Sequence, residues 1–214
     1  MSTPAVTEGI FGGRYLWVTI GSSALVFLAA FESLAVTTIM PVISRDLDGA
    51  TLYALAFAGP LSAGVIGMVI AGNWSDRSGP ILPLYFSAAL FALGLLVAGS
   101  APNMGVFVVG RLVQGLGSGA MTVALYVVVA RLYPAVQMPR IFASFAAAWI
   151  VPSLVGPFIA GLVAELWGWH WVFLGVVGLV IVATAILTPA TRMLRLQPHE
   201  NSSTPWNLGR IGWA

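Results

Sequence analysis

The sequence predicts an all-α transmembrane protein, a bundle of six helices that each cross a lipid bilayer. Its composition is the first reason. Of the 214 residues, 59% are hydrophobic and only 7% are charged, whereas a soluble domain carries about 25% charged residues. So few charges cannot cover a surface that faces water, and most of the surface must therefore face lipid.

Six long apolar runs are the second reason. Each is long enough for a transmembrane helix, because about 20 residues cross the hydrocarbon. The runs cover residues 15–43, 51–72, 81–99, 104–130, 141–164 and 170–190. We therefore divide the chain into an N-terminal segment (1–14), a six-helix transmembrane domain (15–190) and a polar tail (191–214), which we expect to be flexible.

The placement of arginine predicts the orientation, since cytoplasmic loops are enriched in basic residues. With the N-terminus in the cytoplasm, the outer side carries only Arg45, beside Asp46 and Asp48. The inner side then carries Arg14, Arg77, Arg131, Arg140, Arg192 and Arg195. Both termini are expected in the cytoplasm. All nine basic residues are arginine, which points to a GC-rich bacterial source and thus to the plasma (inner) membrane.

One spacing occurs twice in the chain. Glycine, an acidic residue four positions on and a second glycine three further on end the second run at 72–79 and the fifth at 161–168. The two segments fall on opposite membrane faces, which two three-helix repeats of inverted topology would produce. Coincidence is the alternative, since 24 of the 214 residues are glycine.

Two ionisable side chains lie deep inside apolar runs, Glu32 in the first and Arg111 in the fourth. A charge at the bilayer centre costs at least about 2.5 kcal/mol, so such residues usually face a cavity or a partner. Arg111 lies roughly 10 Å and Glu32 roughly 16 Å from the outer ends of their runs, at 1.5 Å per residue. Pairing is therefore allowed, either as a structural ion pair or as a functional one in which Glu32 handles protons and Arg111 senses it or holds an anion.

The segment 72–80 is predicted to be a tight, charged loop between the second and third helices. Gly79 can supply a backbone twist and Pro80 suits the start of a helix. Asp76 and Arg77 supply the charges. The alternative is an ordinary hydrophilic hairpin.

Several segments together resemble motifs of the major facilitator superfamily, and their order matches the six runs. They are the loop Gly72-x-x-x-Asp76-Arg77-x-Gly79, the fourth-run motif Arg111-x-x-Gln114-Gly115-x-Gly117, and the fifth-run motif Pro152-x-x-x-Gly156-Pro157-x-x-Ala160-Gly161. The list continues with the first-run motif from Glu32 to Pro41 and the aromatic segment from Trp169 to Phe173. The fifth-run and first-run motifs are closest to those of the drug:proton antiporters.

The resemblance implies half of a major facilitator fold, in which two halves rock around a central cavity. Glu32, Arg111 and Gln114 would be the coupling and substrate-binding residues of that cavity. A gate lock would use Gly72, Asp76, Arg77 and Gly79. A further set would shape the fifth helix of an exporter: Pro152, Gly156, Pro157 and Gly161.

The sequence also departs from the family pattern. Pro80 and Ile81 stand where the loop motif usually ends in basic residues, and Pro152 replaces the first glycine of the fifth-run motif. The match covers one six-helix half, so we expect a second copy, as in a homodimer, or a complementary C-terminal half. In an isolated half we expect Glu32 and Arg111 to be poorly sheltered from lipid.

The leading functional hypothesis is a secondary transporter, half-sized or an N-terminal half, that exports small amphipathic or drug-like compounds in exchange for protons. A non-transporting assembly partner or truncated half, and a metabolite uptake carrier, are the alternatives. An enzyme is least expected, because no metal cluster, nucleophile–base pair or phosphate loop is recognisable in the sequence. We expect the partners to be the bilayer, protons and a small substrate, without a cofactor, a metal or nucleic acid.

Overall fold

The computed structural model describes residues 9–13 and 15–195, with side chains up to residue 188. Within that part, six long helices form the bundle, and each is long and apolar enough to cross a membrane. They are α1 (Leu16–Asp46), α2 (Tyr53–Ser78), α3 (Ile81–Gly99), α4 (Met104–Leu132), α5 (Met138–Trp167) and α6 (His170–Arg195). The prediction of six spans is confirmed. The first eight residues, Arg14 and the predicted tail beyond residue 195 lie outside the described residues.

The predicted loop at 72–80 is wrong in its extent. Residues 73–78 are the last turns of α2, and only Gly79 and Pro80 separate α2 from α3. Polar residues are stable in a helix that emerges from the hydrocarbon, because its backbone hydrogen bonds are made within the helix in either solvent. The last helix likewise runs to Arg195, five residues beyond the predicted end of its apolar run.

The packing of the helices repeats itself. α1 packs chiefly against α5 and α6, whereas α4 packs chiefly against α2 and α3, and α3 packs against α6. Exchanging α1 with α4, α2 with α5 and α3 with α6 leaves this pattern unchanged. The bundle therefore consists of two three-helix units, α1–α3 and α4–α6. The first helix of each unit packs against the second and third helices of the other unit, as expected for inverted repeats.

The two glycines that end the repeated spacing have nearly the same backbone conformation. Gly79 follows α2 with φ 78° and ψ 165°, and Gly168 follows α5 with φ 92° and ψ 153°. This region is populated essentially by glycine alone. The two equivalent helices therefore end by the same device, which gives the sequence echo a structural cause.

Glycines of α4 bring its backbone against two neighbouring helices. A β-carbon on Gly115 or Gly119 would overlap the backbone of Pro60 or Gly64 in α2. A β-carbon on Gly117 would overlap the backbone of Phe91 in α3. Small residues allow such close approach, and in lipid this packing replaces the hydrophobic effect as the force between helices.

The two ends of the bundle carry different charges. We call the end at which α1 begins the arginine-rich end, since Arg77, Arg131 and Arg140 lie there. At this end the Arg131 guanidinium donates a 3.3 Å hydrogen bond to the carbonyl of Ser75, which ties α4 to α2. At the opposite end, Trp169 Nε1 donates a 2.9 Å hydrogen bond to the carboxylate of Asp46, which ties the α5–α6 connection to α1.

Candidate functional site

The two ionisable residues predicted to lie in the membrane meet in the structure. Arg111 Nη1 lies 3.4 Å from Glu32 Oε1. Glu32 is fully buried and Arg111 is 6% exposed. The expectation that one half leaves the pair poorly sheltered is therefore wrong, because the helices of this chain enclose both side chains.

Gln114 is the second polar partner of Arg111. Its side-chain oxygen accepts a 2.5 Å hydrogen bond from Arg111 Nη1, and its amide also lies close to the carboxylate of Glu32. Residues three apart on a helix share a face, so α4 alone fixes the position of Gln114 relative to Arg111. Glu32, by contrast, is brought to them by α1.

The polar cluster is not fully paired. Glu32 Oε2 and Arg111 Nε are buried without a hydrogen-bond partner in the structure. Buried polar atoms are nearly always paired, and the exceptions often belong to functional sites. The Glu32–Arg111 contact therefore uses one oxygen and one nitrogen, and each group retains capacity for another partner.

A cavity of about 220 Å³ adjoins this cluster between α1, α2, α3 and α4. Its lining residues are Ala29, Ser33, Thr37, Phe57, Pro60, Leu61, Phe91, Arg111, Gln114, Gly115 and Ser118. Arg111 and Gln114 thus face the cavity. Glu32 does not line it and lies in contact with Arg111, which does.

Hydroxyl groups of the cavity wall were missed by the sequence analysis. Thr37 donates a 2.6 Å hydrogen bond to the carbonyl of Leu34, and Ser118 donates one of 3.0 Å to the carbonyl of Gly115. Their oxygens remain able to accept hydrogen bonds. The spacing of Ser118 from Arg111 is seven residues, or two helical turns, and is a signal that could have placed it on the cavity face.

The fifth-helix motif does not reach the cavity. Pro152 and Gly156 are buried, and a β-carbon on Gly156 would lie 3.5 Å from the ring of Phe31. Gly161 of α5 faces Thr38, which lies in α1 as Phe31 does. Gly156 and Gly161 therefore lie at the contact of α5 with α1, the helix that carries Glu32, and Pro157 is half-buried.

The Major Facilitator Superfamily model matches residues 23–211 of the chain, which is more than half of it. The chain belongs to the major facilitator superfamily. Its bundle accordingly corresponds to one half of that fold.

Two relatives of this major facilitator chain are named as efflux proteins. The MFS efflux transporter aclA of Aspergillus oryzae is 29% identical over 211 residues, which cover 97% of this chain and 37% of the relative. The multidrug efflux pump SdrM of Staphylococcus aureus is 28% identical over 166 residues, which cover 76% of this chain and 36% of the relative. The chain therefore spans little more than a third of the length of these relatives.

A solved structure shows the same fold. The proton:xylose symporter XylE, bound to 6-bromo-6-deoxy-D-glucose, superimposes with a TM-score of 0.71 at 16% sequence identity. The match covers 80% of this chain and 44% of the symporter.

The predicted gate residues of this major facilitator chain lie apart from the cavity. Gly72 is half-buried within α2, Gly79 is buried after it, and Asp76 and Arg77 are exposed at the arginine-rich end. Beside them, Arg131 donates a hydrogen bond to the carbonyl of Ser75, a contact that no sequence motif indicates. These residues therefore form a separate surface, away from the Glu32–Arg111 pair.

Proposed function

We propose that this chain is a six-helix half of a secondary transporter that exports small amphipathic or drug-like compounds in exchange for protons, by alternating access. The observation that carries the proposal is the buried Glu32–Arg111 pair beside a cavity that Arg111 lines. The names of the two efflux relatives support export.

Glu32 is the proton-carrying group in this proposal. Arginine stays charged throughout a transport cycle, whereas a carboxylic acid is able to alternate between an ionised form paired with Arg111 and a neutral form. The attraction between the two groups is strong in a low-dielectric interior and vanishes when Glu32 takes up a proton. Protonation thus removes an ionic link between α1 and α4, while Gln114 continues to accept a hydrogen bond from Arg111.

A second copy of the chain or a complementary C-terminal half completes the transporter in our proposal. The share of the efflux relatives that this chain matches, 37% and 36% of their lengths, supports this. The arginine-rich end faces the cytoplasm of a bacterial cell, in accordance with the positive-inside rule. Asp76 and Arg77 would there meet the other half as a gate.

Transport in proteoliposomes under an imposed pH gradient tests this function. A panel of fluorescent amphipathic compounds, cationic, neutral and anionic, is loaded and its pH-driven movement recorded. Glu32→Gln should abolish the pH-driven component, whereas Glu165→Gln, which changes an exposed acid at the end of α5, should preserve it. Undiminished pH-driven transport by Glu32→Gln contradicts the proposal, and a wild-type protein that moves nothing at any gradient favours a non-transporting assembly partner.

A further inference from the structure

The segment that precedes α1 folds back onto the bundle at the arginine-rich end. Residues 9–13 form a turn, in which the Gly12 amide donates a 2.7 Å hydrogen bond to the carbonyl of Gly9. The side chain of Ile10 is 8% exposed and belongs to the hydrophobic core, whereas that of the adjacent Phe11 is 65% exposed. The segment therefore has one side packed against the protein and one side turned away from it.

A chain of hydrogen bonds ties this segment to α1 and to the end of α4. The Thr19 hydroxyl oxygen lies 2.6 Å from the carbonyl oxygen of Ile10 and 2.7 Å from the hydroxyl oxygen of Tyr133. Because a carbonyl only accepts, the Thr19 hydroxyl donates to Ile10 and the Tyr133 hydroxyl donates to Thr19. Thr19 is 1% exposed and Tyr133 is 4% exposed, and the Tyr133 ring stacks on Tyr15 with centroids 4.8 Å apart. Three segments of the chain thus meet at one buried hydroxyl.

The Thr19–Tyr133 contact joins two groups of helices. The α1 group consists of α1, α5 and α6, and the α4 group consists of α2, α3 and α4. The groups pack on each other where α3 meets α6, but α1 packs only slightly on α4. The Glu32–Arg111 pair is one polar link between α1 and α4, and the Thr19–Tyr133 contact is a second, roughly 20 Å from it along α1 at 1.5 Å per residue. Parting of α1 from α4 at the arginine-rich end therefore requires that this contact break.

We propose that residues 9–13, together with Thr19 and Tyr133, form a clasp that holds α1 to α4 and controls how readily the two groups of helices part at this end. While the clasp is closed, the two hydroxyls are out of water, and a hydrogen bond lost there is not replaced. When residues 9–13 lift away, water is able to take the place of the Ile10 carbonyl, and the contact becomes cheap to break. The inference goes beyond the proposed function, because it concerns movement within this one bundle.

Thiol labelling of the full chain in nanodiscs tests the clasp, because the protein contains no cysteine of its own. Ser22→Cys reports on parting of α1 from α4, since Ser22 is fully buried and lies one turn from Thr19 on the same face of α1. Ser87→Cys is the matched reporter on α3, where the side chain is 1% exposed and lies outside the clasp. Tyr133→Phe and Thr19→Val each remove one hydroxyl and keep most of the side chain. Both should raise the rate at which a small maleimide labels Ser22→Cys several-fold and leave the rate for Ser87→Cys unchanged.

A second pair of reporters measures residues 9–13 themselves. Phe11→Cys should be labelled fast in every background, whereas Ile10→Cys should be labelled slowly in the otherwise unchanged protein and faster when Tyr133→Phe is added. Tyr126→Phe is the matched control on α4, because it removes a phenolic hydroxyl from a ring that is 44% exposed and outside the clasp. It should change neither rate.

Two results would overturn the inference. Equal labelling rates for Ile10→Cys and Phe11→Cys in the otherwise unchanged protein would show that residues 9–13 do not close on the bundle. Protection of Ser22→Cys that persists in both hydroxyl variants, or a rise that Ser87→Cys shares to the same extent, would show that these hydroxyls do not hold α1 to α4.

Discussion

At the residue scale, the buried ion pair dominates the chemistry of the chain. Glu32 and Arg111 sit in contact inside a bundle whose other described charged side chains lie toward the helix ends. In a buried ion pair, each charge compensates for the cost of burying the other. Removing one partner therefore leaves an uncompensated buried charge, which destabilises the fold. The effects of substituting Glu32 and Arg111 on the free energy of unfolding should therefore depend strongly on each other.

A double-mutant cycle measures this coupling. Arg111→Met should lower the free energy of unfolding by about 3 kcal/mol, because it leaves the Glu32 carboxylate uncompensated. Adding Glu32→Gln to Arg111→Met should restore part of that loss. Thermal or denaturant unfolding in mild detergent checks both variants, with Arg45→Met at an exposed position as the control. If the loss of stability in the double variant equalled the sum of the losses in Arg111→Met and Glu32→Gln alone, the two residues would not interact.

Gly119 provides a second prediction at this scale. Even alanine at this position would place a β-carbon against the backbone of Gly64, which cannot move aside as a flexible side chain can. Gly119→Ala should therefore lower stability by about 1–3 kcal/mol, the usual cost of overpacking. Gly175→Ala on α6, where nothing lies within 4 Å of the added carbon, should be neutral or stabilising. Equal melting temperatures for the two variants would contradict the predicted α2–α4 contact.

The sequence singled out Glu32 and Arg111 because charges in apolar runs are rare and costly, and it allowed their pairing without requiring it. It could not identify the cavity hydroxyls in the same way. Serine and threonine satisfy their own hydroxyl hydrogen on a helix carbonyl, as Thr37 and Ser118 do, and so carry little penalty in any helix. The spacing from Arg111 could have placed Ser118 on the cavity face, but for Thr37 on α1 the three-dimensional arrangement of the helices was needed.

At the element scale, the ends of α2 and α5 are equivalent. Alanine at Gly79 or at Gly168 would have to adopt a backbone conformation that costs of order 1–3 kcal/mol for residues other than glycine. Both variants should therefore lose stability by similar amounts, as measured by thermal unfolding. Gly175→Ala again serves as the control, and a loss confined to one of the two positions would argue against equivalent turns.

Element boundaries were the least predictable feature of the fold. The polarity of residues 73–78 predicts a loop, because it marks the end of the hydrocarbon. Polarity reports the solvent around a segment, however, and the helix itself ends where Gly79 and Pro80 stop the hydrogen-bonding pattern. The repeated glycine spacing was the better guide, since it marked the true end of both helices.

At the scale of the whole molecule, the chain should have a fixed orientation in the membrane. Because the protein contains no cysteine, single substitutions report sidedness directly. Thr51→Cys and Ser78→Cys place an exposed thiol at opposite ends of the α2 segment. A membrane-impermeant maleimide applied to intact cells should label Thr51→Cys and spare Ser78→Cys. The reverse pattern would place the arginine-rich end outside.

In the proposed mechanism, Glu32 exchanges protons against substrate movement. The most direct test of this exchange is a count of protons in proteoliposomes without an imposed gradient, loaded with a transported compound and a pH-sensitive dye. Export of the compound down its own gradient should acidify the lumen in the wild type and leave it unchanged with Glu32→Gln. Acidification by the Glu32→Gln protein equal to that of the wild type would contradict proton exchange at Glu32.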